Sequence, residues 1–276
     1  MKLKNYLIAF AVIFIVAGFS SCKKDSEAKS SDEVVATIEL SGDQAISDNL
    51  NADAENVLNE ASVSNDFAGN TPVGITETMN ILSCPTVTVS PGAFPKTIVI
   101  DFGTGCTPIN GTILRSGKIN ITLSDSLRKS GSVAVMTFDN YYVGGFKKEG
   151  TITWTNTSQG AVKSWTRTCA DGKITTPNGR YWLHSGTQNI TQTGGSQTLV
   201  FSITGSHTVT NAAGISRTSE IIQALEKKVA CENIDKGSIK TSGPHHYAVI
   251  DFGDGTCDHK ATISIDGSNP IPFLLR

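Results

Sequence analysis

The sequence predicts an all-β fold, an antiparallel meander of hairpins preceded by a short N-terminal helix. Only 17% of the 276 residues are charged, and threonine, serine, glycine and valine are abundant, which favours strands and tight turns. From Ile81 onward, strand-like runs of roughly six to twelve residues alternate with glycine-containing turns. Neighbouring hairpins also segregate their side chains into an apolar and a polar face, as expected for a sheet buried on one side. An open sheet, a sandwich and a barrel-like closure all fit this pattern.

Residues 1–21 are expected to be a lipoprotein signal peptide. Lys2 and Lys4 precede an apolar run from Leu7 to Phe19, which is shorter than the roughly 20 residues that a membrane-spanning helix needs. The run leads through small residues to Cys22, and the sequence Phe-Ser-Ser-Cys resembles a lipobox. Cys22 is therefore the predicted lipidation site, and its lipid anchor is the predicted link to a membrane.

Three further segments are predicted after the leader. Residues 22–35 are polar without an apolar period, which is typical of a flexible tether. Residues 36–80 form an N-terminal segment with a short helix, whose pattern breaks up at residues 62–65. Residues 81–276 form one all-β domain. The apolar positions at helical spacing are Ile46, Leu50, Ala54, Val57, Leu58 and Ala61.

Hairpin register can be predicted if Gln159-Gly160, Asp171-Gly172 and Asn178-Gly179 are two-residue loops, because such loops fix which residues face each other. Trp154 then lies opposite Trp165, and the chain upstream of Gly144-Gly145 needs a bulge to keep the pattern. The predicted apolar face carries Ile152, Trp154, Trp165, Cys169, Ile174 and Leu183, with Arg167 as an exception. The predicted polar face is rich in threonine and carries Trp182 and His184.

An internal repeat predicts the disulfides. Residues 99–106 (VIDFGTGC) recur as residues 249–257 (VIDFGDGTC), and each copy follows an earlier cysteine by about two dozen residues. Each pair therefore closes its own hairpin, Cys84 with Cys106 and Cys231 with Cys257, and each bridge is worth about 3 kcal/mol by the loop-entropy model. Cys169 is left over as a small buried hydrophobe on the apolar face.

Charge and motif patterns argue against several function classes. The net charge is -2 and the basic residues are scattered, so no nucleic-acid partner is predicted. No histidine and cysteine spacing matches a metal site, and no cofactor and no catalytic residues are predicted. Asp-Phe-Gly at 101–103 and 251–253 lacks the other kinase elements. Asp251, Asp254 and Asp258 are interpreted as turn caps rather than as a calcium loop.

A candidate ligand patch lies beside the Asn178-Gly179 turn. Arg180, Trp182 and His184 cluster there on the predicted polar face, where an exposed Trp could stack on a glycan or anchor a protein ligand. The alternative is that this face packs under another segment. A rival hypothesis is a hydrolase assembled from distant residues, with His184, His207 and the turn aspartates as members.

Three stretches resemble a family of Bacteroidota lipoproteins that has no established activity. They are SCKKD at 21–25, TFDNYYV at 137–143 and DFGDGTCD at 251–258. This resemblance covers nearly the whole mature chain and implies an outer-membrane location. It also implies that the charged residues after Cys22 direct export to the cell surface. The expected function is that of a binding or structural module.

Overall fold

The computed structural model describes residues 24–68, 81–109, 111–193, 199–228, 231 and 233–275. It contains one long helix, α1 (Lys24–Ser64), a 3-10 turn (Ile81–Ser83) and thirteen strands in a single antiparallel sheet. The predicted all-β meander is confirmed, since each strand pairs with the next along the chain. The strands are β1 (Thr86–Val89), β2 (Lys96–Asp101), β3 (Arg115–Leu123), β4 (Val133–Val143), β5 (Phe146–Asn156), β6 (Lys163–Thr175), β7 (Tyr181–Thr193), β8 (Val200–Asn211), β9 (Ser216–Lys228), β10 (Lys236–Ser242), β11 (Tyr247–Asp254), β12 (Lys260–Ile265) and β13 (Ile271–Leu274).

Helix α1 is much longer than the short helix expected from the sequence. It begins at Lys24, so the segment interpreted as a tether is helical from that residue onward. Its C-terminal end at Ser64 agrees with the prediction. After the helix, the backbone N–H groups of Phe67 and Ala68 donate to the Ser62 carbonyl. The leader, Cys22 and residues 69–80 lie outside the described residues.

The helix lies across one face of the sheet. Near its start, Glu33 accepts hydrogen bonds from the backbone N–H groups of His245 and His246, between β10 and β11. Two-thirds of the way along, Asp53 pairs with Arg115 of β3. Because a helix advances about 1.5 Å per residue, these contacts carry α1 across most of the strands.

The main apolar core lies between α1, chiefly its C-terminal part, and the first eight strands. The predicted helix positions Leu50, Ala54, Val57, Leu58 and Ala61 are all buried there, and Ile46 packs against the same core. The sheet supplies Ile98, Ile100, Ile119, Ile121, Leu123, Met136 and Ile152, all fully buried.

Two of the predicted hairpin loops are corrected by the strand pairing. The β5–β6 loop is Gly160-Ala161 between Gln159 and Val162, so Trp154 faces Arg167 rather than Trp165. Because the pairing of β5 with β6 shifts by two residues, each side chain stays on the sheet face that was predicted for it. Asp171-Gly172 is not a turn, because β6 continues through it with a bulge at which Asp171 has a φ of 51°. An Asp-Gly pair can therefore occupy a β-bulge as well as a tight turn.

The third loop changes which face of β7 is buried. The Thr176 N–H donates the last backbone hydrogen bond of this hairpin to the Arg180 carbonyl, which leaves three residues in the loop instead of two. The odd count reverses the parity of β7. Trp182 is therefore 0% exposed and Leu183 is 48% exposed, so the expectation of an exposed Trp182 and a buried Leu183 is wrong.

The predicted β4–β5 connection and cysteine pairing agree with the structure. Gly144-Gly145 connects β4 to β5. As predicted, β4 has a bulge, between Thr137 and Tyr141, which changes the alternation of inward and outward side chains before the turn. Cys84 pairs with Cys106 and Cys231 with Cys257, as the repeat predicts. Cys169 is a buried free thiol.

Candidate ligand-binding cleft and its polar end

A layer of polar side chains joins α1 to the sheet beneath it. Sheet side chains that point at the helix find a partner on it: Trp182 Nε1 donates to Ser47 Oγ at 2.8 Å, and Lys148 Nζ donates to Asn51 Oδ1 at 2.6 Å. The other contacts are Arg217 to Thr37, Arg180 to Glu39 and Asp43, Arg115 and Tyr141 to Asp53, and Trp154 and Arg167 to Glu55. The acidic and amide residues of α1 therefore face the sheet, not only solvent.

Lys148 is the most deeply buried cation of this layer. Its ammonium group lies 5.0 Å from the ring centroid of Phe138, and it is only 1% exposed. Burial lowers the pKa of Lys148 to about 8. The burial itself is stabilised by the apolar chain of lysine, which packs on the core while its amine reaches Asn51.

Cys169, His184, His207 and Asp48 form a row beneath the helix. Cys169 Sγ lies 3.6 Å from His184 Nδ1, the two imidazole rings stack at 5.4 Å, and His207 Nδ1 lies 3.5 Å from Asp48 Oδ1. Burial lowers the pKa of His184 to about 3, with a further contribution from Lys148. Burial also raises the pKa of the Cys169 thiol.

These pKa shifts decide what the row can do chemically. A nucleophilic cysteine needs a thiolate, usually paired with a protonated histidine. Here burial keeps Cys169 as a thiol and His184 as a neutral imidazole, so the pair lacks that activation. The structure does bring together His184 and His207 of the hydrolase hypothesis, but Asp251 accepts a hydrogen bond from Gly253 within its own turn.

The predicted ligand patch is assembled, but it is largely covered. The Arg180 guanidinium lies over the Trp182 ring at 4.8 Å from its centroid. Arg180 itself is exposed and pairs with Glu39 and Asp43 of α1, whereas Trp182 and His184 are buried under the helix. Trp182 and His184 are buried because the reversed parity of β7 places them on the face under α1, and not because the predicted threonine-rich face packs under another segment.

A large cavity lies beside this layer, between α1 and the second half of the sheet. It has a volume of about 2360 Å³. Its sheet wall consists mainly of half-buried apolar side chains, including Trp165, Phe201, Ile203, Ile221, Ile239, Ile250, Phe252, Ile263 and Phe273. We call this cavity the cleft.

The helix wall of the cleft is uncharged along a continuous line. Ile38, Gly42, Ala45, Asn49, Ala52, Asn56, Asn59 and Val63 recur at helical spacing and line it. Five charged helix residues also border the cleft. Glu60 accepts hydrogen bonds from the backbone N–H groups of Ile81 and Leu82. Each of the other four faces a basic side chain of the sheet: Glu39, Asp43, Asp48 and Glu55. An apolar ligand would therefore meet few unpaired charges along this wall.

The internal repeat shows how the cleft differs from the core. Ile100 and Phe102 in the first copy are buried in the main core. Their counterparts in the second copy, Ile250 and Phe252, are half-buried and line the cleft. The same sequence thus packs against protein at one end of the sheet and faces an unfilled cavity at the other.

Sequence reasoning missed the polar layer and the cleft for identifiable reasons. Lys148 is one of the scattered basic residues of the sequence, and nothing in the sequence marks it, or the Asp and Asn residues of α1, as buried. One signal was present: Arg167 broke the apolar face of its hairpin, and in the structure it binds Glu55 and Gln188 inside the protein. A charged residue at a core-facing position predicts a buried partner.

No family model, curated protein or solved structure matches this chain. Over the described ranges, no three or more His, Cys, Asp and Glu side chains are grouped to hold a metal ion. The helices in those ranges include none with the length and apolarity to cross a bilayer.

Proposed function

We propose that this protein is a lipid-anchored lipoprotein of the outer membrane that binds an elongated lipid in the cleft. One observation carries the proposal: a line of aromatic and branched side chains faces a large cavity instead of packing on protein. Burying apolar area contributes about 25 cal/mol per Å². Half-buried side chains such as Ile239, Ile250 and Ile263 therefore have apolar area left for a ligand to cover.

The size of the cleft favours a lipid over a compact molecule. Its volume of about 2360 Å³ exceeds the ~300–1,000 Å³ typical of small-molecule sites. The cleft also extends along α1 from Val34 to Ser64, which is a length suited to extended acyl chains.

The proposed lipid anchor would hold this site close to a membrane. Helix α1 begins two residues after Cys22, so an acylated Cys22 would leave almost no slack between bilayer and helix. Two disulfides are consistent with an oxidising envelope compartment. On the outer membrane, facing the cell surface, the cleft would then meet lipids from that membrane or from outside.

Tryptophan fluorescence offers a direct test of lipid binding. The chain has three Trp residues. Trp154 and Trp165 line the cleft, whereas Trp182 does not. Bromine atoms quench indole fluorescence only at close range, so a lipid with brominated acyl chains reports on the site it occupies. Cys22→Ser is introduced throughout, so that no covalently attached chain competes for the cleft.

We expect brominated diacylglycerol to quench the protein with Trp182→Phe strongly and saturably. In the matched control, which carries Trp154→Phe and Trp165→Phe, the remaining Trp182 should keep its fluorescence. Equal quenching of both variants, or quenching of neither, would refute binding in the cleft.

A further inference from the structure

The cleft reaches the edge of the sheet at β13, which is the terminal strand and pairs with β12. Ile271 and Leu274 of β13 line the cleft and are 62% and 70% exposed. Ile265 at the end of β12 lines the cleft and is exposed as well. We call Ile265, Ile271 and Leu274 the rim. Exposed apolar side chains that continue into an apolar cavity are typical of a surface that meets another apolar phase.

We infer that the rim inserts into the bilayer that holds the protein, and that lipid passes along β13 between this bilayer and the cleft. The inference rests on the proposed function and adds to it a membrane-contacting surface and a route of entry.

The backbone of β13 is poorly suited to pairing with a strand of another protein. The Leu275 N–H donates to the His259 carbonyl, and in an antiparallel pair every second residue repeats this orientation. Pro272 and Leu274 therefore direct their backbone groups toward the free edge, where proline has no N–H to donate. A missing donor on an edge strand discourages strand addition. The rim is thus suited to a partner without backbone groups, such as a lipid.

The path of α1 places the proposed anchor beside the rim. Glu33 of α1 binds the backbone N–H of His246, and the His246 side chain pairs with Asp266, next to Ile265. The helix begins nine residues before Glu33, at Lys24, and so continues for about 14 Å past this contact. The two strand spacings from β11 to β13 cover about 10 Å. An anchor two residues before Lys24 would therefore hold the β13 edge, rather than the distant β1 edge, against the bilayer.

The composition of this edge fits insertion into a bilayer. Residues 267–275, which include all of β13, carry no charged side chain. Moving a charge out of water is costly, whereas moving an aliphatic side chain out of water is favourable. The edge can therefore enter the acyl region without removing a charge from water.

The test separates the rate of lipid entry from the affinity for lipid. Every protein carries Cys22→Ser and Trp182→Phe, so that Trp154 and Trp165 report on the cleft. Entry is the rate of quenching after mixing with dioleoylphosphatidylcholine vesicles that contain brominated diacylglycerol. Affinity without a membrane is measured with short-chain dioctanoylglycerol, by displacement of N-phenylnaphthylamine. Residues 1–21 are the same in every protein, so their own binding to vesicles cancels.

Two rim variants are compared with two matched controls. The rim variants are Leu274→Ser and Ile271→Ser, and Leu183→Ser and Ile222→Ser make the same changes at exposed positions outside the cleft. We expect each rim variant to slow quenching about tenfold, the effect of losing one aliphatic side chain from an apolar contact. The affinity for dioctanoylglycerol should stay unchanged, and both controls should keep the parent rate and affinity.

The outcomes separate this inference from the proposed function. An unchanged rate in both rim variants, an equal slowing in the controls, or a slowing matched by weaker dioctanoylglycerol binding would overturn the membrane contact while leaving the cleft as a lipid site. Analytical ultracentrifugation supplies one more outcome: a dimer that Leu274→Ser dissociates and Leu183→Ser does not would assign the rim to a second copy and would also overturn it. A parent protein that neither lipid reaches would overturn the proposed function itself.

Discussion

The two copies of the Val-Ile-Asp-Phe-Gly sequence have the same local structure and different surroundings. Asp101 accepts a hydrogen bond from Gly103, and Asp251 accepts one from Gly253, both at 2.8 Å. Each copy also ends at a disulfide. The first copy packs under α1, whereas the second lines the cleft. Local sequence therefore determines the strand and its turn, and the path of the helix determines whether the inward side chains join the core or line the cleft.

This comparison explains why the two halves of the sheet should serve different purposes. Under α1, apolar packing and the polar layer leave little room for a ligand. Beyond the helix, the inward face keeps its apolar residues without a covering element. A protein that needed only a stable scaffold would gain free energy by filling that face.

The largest expected effect concerns acid stability of the covered half. His184 has a pKa of about 3 in the folded protein and an ordinary pKa when unfolded. The unfolded chain therefore binds a proton that the folded protein does not bind, and the free energy of unfolding falls as pH drops from about 6.5 to about 3. His184→Leu should remove on the order of 4 kcal/mol of this loss. Urea unfolding across this pH range measures it.

The control for acid stability is His246→Gln in the β10–β11 connection. His246 pairs with Asp266, which raises the pKa of the histidine. Its loss should therefore leave the acid destabilisation as steep as in the wild type. A wild-type stability that stayed flat below pH 6 would contradict burial of a neutral His184.

Truncation of matched residues in the repeat should separate core from cleft. Ile100→Ala removes a fully buried side chain and should lower the free energy of unfolding by about 2–5 kcal/mol. Ile250→Ala removes a half-buried side chain and should cost roughly 1 kcal/mol or less in the absence of ligand. Chemical denaturation of both variants supplies the two values, and equal losses would contradict the difference in packing.

The buried lysine gives a further prediction of the same sign, in the alkaline range. Lys148 has a folded pKa of about 8, below its ordinary value, so between about pH 8 and 10.5 the unfolded chain binds more protons. Stability of the wild type should rise over that range relative to Lys148→Met, by roughly 3 kcal/mol. Cys169→Ala in both proteins removes the opposing titration of the Cys169 thiol, which is coupled to Lys148. Parallel pH profiles would refute the buried amine.

The smallest expected effect is for Lys240, the control for Lys148, in the half of the sheet that lines the cleft. Lys240 on β10 lies 4.2 Å from the ring centroid of Tyr247 and is not deeply buried. Lys240→Met should change stability by about 0.5 kcal/mol or less, with the alkaline pH profile unchanged. A profile altered as strongly as that of Lys148→Met would mean that the two halves do not differ in buried charge.

The sequence predicted what depends on neighbouring residues and missed what depends on the helix. Alternation and turns predicted the meander, and the repeat predicted both disulfides. The predicted buried face of β7 was wrong, because a loop of three residues instead of two reverses which side chains of the strand point inward. The sequence Pro177-Asn178-Gly179 does not indicate whether the loop has two residues or three. The polar layer and the cleft could not be predicted, because both depend on where a helix more than a hundred residues away crosses the sheet.

Isoleucine methyl NMR with added dioleoylglycerol tests the central claim most directly, because isoleucines line both the core and the cleft. We predict that the methyl resonances of Ile239, Ile250 and Ile263 shift on binding, whereas those of Ile98, Ile100 and Ile119 do not. Shifts of similar size in both groups, or no shift in either, would contradict the division of this sheet into a filled core and an open binding surface.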